Sequence, residues 1–170
     1  SLPLPKKSSA LEHFGFDSTM PLLAVFGGGT GASFFNTFIT ENLGELLKHF
    51  YIIHITGKGK NHQPVQAPGY AALEFCHEMD QLYAAADVVV TRAGLSTITE
   101  LALLQKLSVV IPMPDSHQED NAAMLWKLKA AMVLDQESLT IADFIKRVRK
   151  LLMDTEEQKR IQEALQKLMP

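Results

Sequence analysis

The sequence predicts an α/β fold, a parallel sheet covered on both faces by helices. Three observations predict it. Short apolar runs, rich in β-branched residues, alternate with amphipathic stretches, the pattern of strands buried between crossover helices. Two glycine-bearing turns each follow such a run and open a helical stretch, first at Gly27-Gly-Gly-Thr-Gly31 and again at Arg92-Ala-Gly94. No internal repeat or low-complexity tract competes with this pattern.

Taken in order, Ser9-Ala-Leu-Glu12 has the form of a capping box for a short helix ending at Gly15. Residues 22–26 (LLAVF) form a buried strand, and the glycine loop leads into a helix from Ala32. Phe34, Phe35, Phe38, Ile39, Leu43, Leu46, Leu47 and Phe50 recur at roughly helical spacing, with Gly44 as the expected break between two helices. Residues 51–56 (YIIHIT) and 70–75 are the second and third strands, and 79–86 is a short helix. A fourth strand covers 87–91 (DVVVT), a helix follows over about 96–106, and 108–113 (SVVIPM) is the fifth strand. Beyond a polar loop at 114–120, Ala122, Leu125, Leu128 and Met132 fall on one helical face. A short strand at 131–134 and two helices complete the chain, their starts signalled by Thr140…Asp143 and Thr155…Gln158. The architecture is Rossmann-like, and ligands are expected at the C-terminal strand ends.

Composition narrows the function. A chain of 170 residues with 46% hydrophobic and 21% charged content has the make-up of an ordinary globular domain with its own core. A net charge of -3 argues against a general nucleic-acid binder. Cys76 is the single cysteine, which excludes an internal disulfide and a cysteine-built zinc site. No apolar run approaches the roughly 18 residues of a membrane span, and no signal peptide is visible, so a cytosolic protein is expected. The opening SLPLPKKSS has the composition of a linker.

Three stretches can carry chemistry. Gly27-Gly-Gly-Thr-Gly-Ala32 satisfies the dinucleotide fingerprint, with backbone amides and a helix start facing an anion. That fingerprint also wants a carboxylate at the end of the second strand, where this chain has Thr56-Gly57-Lys58, so NAD is disfavoured, while Lys58 and Lys60 leave an opening for a phosphorylated ribose. The second turn places Ser96 and Thr97 where hydroxyls and amides meet a phosphate, with Glu100 able to grip two ribose hydroxyls. The competing structural role is a capping box, Thr97-x-x-Glu100. In the third stretch, Gln118 and Asn121 offer the paired donors and acceptors that suit sugar hydroxyls; the structural alternative makes Asp120 or Asn121 an N-cap. Neither a nucleophile–base pair nor metal-ligand spacing emerges, and no Asp-x-Asp pair is present.

Together, Phe26-Gly-Gly-Gly-Thr-Gly-Ala32, His54-Ile-Thr-Gly-Lys-Gly59, Ala85-Ala-Asp-Val-Val-Val-Thr-Arg-Ala-Gly94, Thr97-x-x-Glu100 and His117-Gln-x-x-Asn-Ala122 resemble one family. It is the C-terminal, donor-binding half of the MurG family, bacterial UDP-N-acetylglucosamine transferases of peptidoglycan synthesis. The resemblance implies the C-terminal half of a GT-B glycosyltransferase, with 1–20 as interdomain linker and short helix and 21–170 as the UDP-sugar donor-binding domain. The N-terminal acceptor domain is then absent from this chain. It further implies inverting transfer of N-acetylglucosamine from UDP-N-acetylglucosamine to lipid I, giving lipid II.

The family's site residues carry over by position. Gly28, Gly29, Thr30 and Gly31 match a glycine loop near the donor diphosphate, although most relatives have serine where this chain has Gly29. Cys76 matches the residue whose backbone reads the uracil edge. Gly94, Ser96 and Thr97 match the diphosphate turn, Glu100 the ribose carboxylate, and Gln118 and Asn121 the groups at the N-acetylglucosamine hydroxyls. No cofactor or metal is implied. The catalytic base, the lipid-linked acceptor pocket and the membrane-docking surface belong to the N-terminal domain, so no catalytic residue is assigned here. The full-length protein is expected at the cytoplasmic face of the cell membrane as a peripheral protein. Two alternatives stand beside this: a soluble subunit of a two-chain polyprenyl- or dolichol-diphosphate N-acetylglucosaminyltransferase, and a non-transferase nucleotide-binding module.

Overall fold

The computed structural model describes residues 3–28, 32–60 and 65–170. Six strands form a parallel sheet in the order β3-β2-β1-β4-β5-β6. The chain divides into two compact units, Ser1–Val89 and Val90–Pro170.

In the first unit, β1 (Leu22–Phe26) is buried along its whole length, as its uninterrupted apolar run requires. It pairs in parallel with β2 (Tyr51–Ile55), which pairs in parallel with β3 (Tyr70–Leu73). Helix α1 (Lys7–His13) packs on α4 (Met79–Ala85), where His13 Nε2 and Glu78 Oε2 lie 2.5 Å apart. Asp87 ties this unit together: its carboxylate accepts the Leu22 backbone N–H at 2.8 Å and pairs with Lys7. The start of α1 differs from expectation. It begins at Lys7 with no side-chain cap, so Ser9 lies inside the first turn and Ser9…Glu12 is not a capping box. The expected end holds, because Gly15 at φ +80 lets the Phe16 N–H reach back to the Leu11 carbonyl at 2.8 Å.

The break between α2 (Ala32–Glu41) and α3 (Leu43–Leu46) falls at Asn42, and Gly44 sits within α3. The Asn42 side chain donates to the Phe38 carbonyl at 2.8 Å, satisfying the end of α2. Phe35, Ile39, Leu43, Leu46 and Phe50 are buried as their spacing predicts.

The second unit begins within β4 (Val88–Thr91), which continues into α5 (Leu95–Leu104), and α5 ends where Gln105 turns left-handed at φ 51. Strand β5 (Ser108–Val110) pairs in parallel with the two-residue β6 (Met132–Val133). Helix α6 (Gln118–Leu128) buries Ala122 and Leu125, whereas Leu128 is exposed and Met132 stands on the strand. The expected four-residue face is thus two residues wide. Helices α7 (Ile141–Met153) and α8 (Thr155–Leu168) pack on each other. Thr140 caps α7 as expected, accepting the Asp143 N–H at 3.2 Å. For α8 the cap is Asp154, accepting the Glu157 N–H at 3.0 Å, one residue before the expected Thr155. A carboxylate facing the positive end of the helix displaces the hydroxyl.

Two predictions follow from these contacts. Asp154→Ala should cost about 1 kcal/mol in urea unfolding, while Thr155→Ala stays within about 0.5 kcal/mol of wild type. His54 is fully buried on β2, its Nδ1 2.8 Å from the Tyr70 hydroxyl, and burial depresses its pKa from 6.5 to about 4. As pH falls, the unfolded chain takes up this proton before the native state does. Stability should therefore be full above pH 6.5, decline toward pH 4, and decline less steeply in His54→Gln.

Candidate functional site

In the first unit, a cavity of about 470 Å³ opens at the C-terminal ends of β1, β2 and β3. Phe26, Ile55, Phe75 and Met79 give it apolar walls, and Gly27 and Gly28 present bare backbone. Gly28 adopts φ +61, a conformation that a Cβ would strain. Of the expected glycine-loop residues, Gly29, Thr30 and Gly31 lie outside the described residues. Cys76 lines the same cavity and is the third residue beyond β3, which ends two residues earlier than the sequence suggests. Burial raises its thiol pKa, so at neutral pH the position offers a neutral side chain and its backbone.

Two features here were not singled out from sequence. Phe75 is half exposed, and the Lys58 ammonium stands 5.1 Å from its ring centroid. Glu74 also lines the cavity, so a carboxylate is present, but after β3 rather than β2. A stretch in which a polar residue breaks the apolar alternation at a strand end was the available signal. Lys58 follows β2, at the place where the dinucleotide fingerprint needs an acid.

In the second unit, Gly94 is the N-cap of α5 and no side chain caps that helix. The Ile98 N–H bonds to the Gly94 carbonyl at 3.0 Å, while the amides of Leu95, Ser96 and Thr97 precede the first intrahelical bond. Thr97 is the third helical residue, so it cannot act as an N-cap, and the capping-box role for Thr97-x-x-Glu100 is overturned. A Cβ on Gly94 would meet nothing closer than the Thr97 hydroxyl at 4.0 Å. Packing does not demand glycine there; what glycine leaves open is approach to the helix start. Ser96, Thr97 and Glu100 share one face at spacings of three and four residues, with Ser96 and Glu100 exposed.

Gln118 and Asn121 converge on the same turn. The Gln118 side-chain oxygen accepts the Ala93 N–H at 3.3 Å and the Met113 N–H at 3.0 Å. Asn121 donates from Nδ2 to the Ala93 carbonyl at 2.9 Å. Gln118 opens α6 and Asn121 lies in its first turn, so neither Asp120 nor Asn121 is the N-cap; the Ser116 hydroxyl accepts the Gln118 N–H at 3.2 Å instead. Because both partners of the Gln118 oxygen are donors, the amide orientation is fixed and its NH₂ is directed elsewhere. Arg92, buried one residue before Ala93, donates to the Ile111 and Pro112 carbonyls at 3.1 Å and holds the loop after β5. Burial lowers its pKa. An arginine closing the apolar run of β4 was its signal in the sequence.

Residues 22–169 match the model of the glycosyltransferase family 28 C-terminal domain. The chain belongs to that family. Among similar curated proteins are two named UDP-N-acetylglucosamine–N-acetylmuramyl-(pentapeptide) pyrophosphoryl-undecaprenol N-acetylglucosamine transferase. One, from Lachnospira eligens, is 34% identical over 90% of this chain and 45% of its own length. The other, from Clostridium kluyveri, is 37% identical over 82% of this chain and 41% of its own length. The chain thus spans less than half the length of these relatives. The crystal structure of Acinetobacter baumannii MurG superposes with a TM-score of 0.69 at 24% identity, over 97% of this chain and 50% of that one. The fold is that of the C-terminal half of a GT-B glycosyltransferase, and the family 28 domain accounts for nearly the whole chain.

The geometry around Ala93 makes a separable prediction. Gln118→Ala leaves two backbone amides without their acceptor and should destabilise the chain by about 1–3 kcal/mol in urea unfolding. Gln118→Glu keeps both bonds and should unfold close to wild type.

Proposed function

We propose that this chain is the donor-binding domain of an inverting glycosyltransferase that moves N-acetylglucosamine from UDP-N-acetylglucosamine to lipid I, forming lipid II. The uncapped start of α5, carrying Ser96, Thr97 and Glu100 on one face, is the observation that supports it most. Negative charge grows on the departing UDP as the glycosidic bond breaks. Amides fixed at a helix N-terminus stabilise that charge without reorganising. Glu100 offers two oxygens to the two ribose hydroxyls, which is the bidentate arrangement a diol needs. Gln118, its oxygen held by backbone amides, offers its NH₂ to sugar hydroxyls, with Asn121 beside it.

In the first unit the same reading gives the Cys76 backbone the uracil edge, and it gives the Gly28, Gly29, Thr30 and Gly31 stretch the neighbourhood of the diphosphate. A backbone contact tolerates the thiol that stands where relatives carry an aliphatic side chain. The names of the curated relatives support the donor and the lipid-linked acceptor. Acceptor, catalytic base and peripheral attachment to the cytoplasmic membrane face are assigned to an N-terminal domain, so residues 21–170 bind the donor and do not turn it over.

Calorimetric titration with UDP-N-acetylglucosamine, UDP, GTP and NADH tests the reading. UDP and its sugar should bind in preference to GTP and NADH, and Glu100→Ala should weaken UDP by about tenfold or more. Preference for GTP or NADH would end the transferase reading. Unchanged UDP affinity in Glu100→Ala would remove the ribose role alone.

A further inference from the structure

The turn after β2 and the segment after β3 are tied to each other. Gly57 donates its backbone N–H to the Glu74 carbonyl at 3.1 Å, and the Lys60 N–H closes back on the Gly57 carbonyl at 3.3 Å. That closure makes Gly57-Lys58-Gly59-Lys60 a four-residue turn, and Gly59 at φ +73 supplies the positive φ that a type II turn takes at its third position. The residue after Gly57 is thereby set beside the residue after Glu74, and the Lys58 ammonium stands 5.1 Å from the centroid of the Phe75 ring. His77 braces the same ring in a T-shaped contact, centroids 4.6 Å apart.

Neither Lys58 nor Phe75 sits where packing or charge alone would put it. Phe75 keeps 51% of its surface exposed. Glu74 lines the same cavity, yet among the described residues Lys58 forms no ion pair with it. The ammonium rests on an aromatic face instead, a contact that is weak at an exposed site and easily exchanged. An open ring in a cavity walled by Phe26, Ile55 and Met79 suits a flat heterocycle, which stacks on it. A displaced ammonium then has three donors and no acceptor, so what it holds on the ligand is an acceptor. In uracil both ring acceptors are carbonyl oxygens.

We infer that Lys58 is a base-reading residue: its ammonium leaves the Phe75 ring when a uracil nucleotide enters this cavity and donates to a carbonyl oxygen of the base. This role rests on the proposed UDP-sugar donor and adds to it a side chain beside the Cys76 backbone. A phosphate is the other acceptor that a lysine here would meet. The apolar walls, and the anchoring of the turn to the residue two before Cys76, favour the base.

Titration with uridine and with UDP, followed by nuclear magnetic resonance, separates base from phosphate because uridine carries no phosphate. Lys58→Met keeps the stem and removes the charge at an exposed position, so its circular dichroism should match wild type. It should weaken uridine and UDP by the same factor, about five- to tenfold. Lys58→Arg keeps donors and charge and should bind both within about threefold of wild type. Equal uridine affinity in Lys58→Met and wild type overturns the inference and leaves the donor reading intact. A loss seen with UDP alone also overturns it and assigns Lys58 to the phosphates. Wild-type binding of UDP without measurable binding of uridine overturns it as well, since the base then adds too little to be read. If wild type binds neither ligand, the donor reading and this role fall together.

Discussion

The backbone of Ala93 is held at both of its polar groups. Its N–H is accepted by Gln118 and its carbonyl receives Asn121, two residues on the first turn of another helix. One residue before it, Arg92 is buried and spends its guanidinium on the carbonyls that follow β5. The position where β4 stops and α5 starts is therefore set by side chains twenty or more residues away. Everything proposed for α5 depends on this. The amides of Leu95, Ser96 and Thr97 present a common direction because the turn feeding them has no freedom left.

That rigidity comes at a cost that the sheet absorbs. Arg92 and His54 are polar groups placed in interiors made mostly of Val, Ile and Leu, and burial disfavours the charged form of each. His54 stands on β2 between Ile53 and Ile55, and Arg92 directly follows the fully buried β4, so apolar burial beside each offsets the desolvation. The local sequence thus violates its own hydrophobic pattern next to the strand ends where ligands are expected in such sheets, and nowhere in the middle of β1 or β4.

How much of this could be read in the sequence follows the range of the interactions involved. β1 was legible to the residue, because a two-faced strand needs nothing but its apolar run and its flanking turn residues. Helix starts were not. The pattern of a hydroxyl followed three residues later by Glu, Gln or Asp fits Ser9, Thr97, Thr140 and Thr155 equally, yet only Thr140 caps its helix. The same spacing occurs anywhere along a helix face, so local residues alone do not say which turn is the first. Residue types brought out Gly94, Ser96, Glu100, Gln118 and Asn121 as candidates. The fact that the Gln118 oxygen is already committed to Ala93 and Met113 was illegible, since those partners lie 25 and 5 residues away in sequence. Lys58 over Phe75 was hidden for the same reason.

The orientation of the Gln118 amide has a stereochemical consequence. A glutamine on an open surface can rotate to show a ligand either its oxygen or its nitrogen, and so tolerates many partners. This one has surrendered that choice at folding, together with the rotamer entropy that fixing it cost. Whatever settles against it meets a donor-only group at a set angle. For the sugar proposed to bind here, an epimer would differ by whether an oxygen lies on that line, and the side chain could not turn to forgive the wrong one.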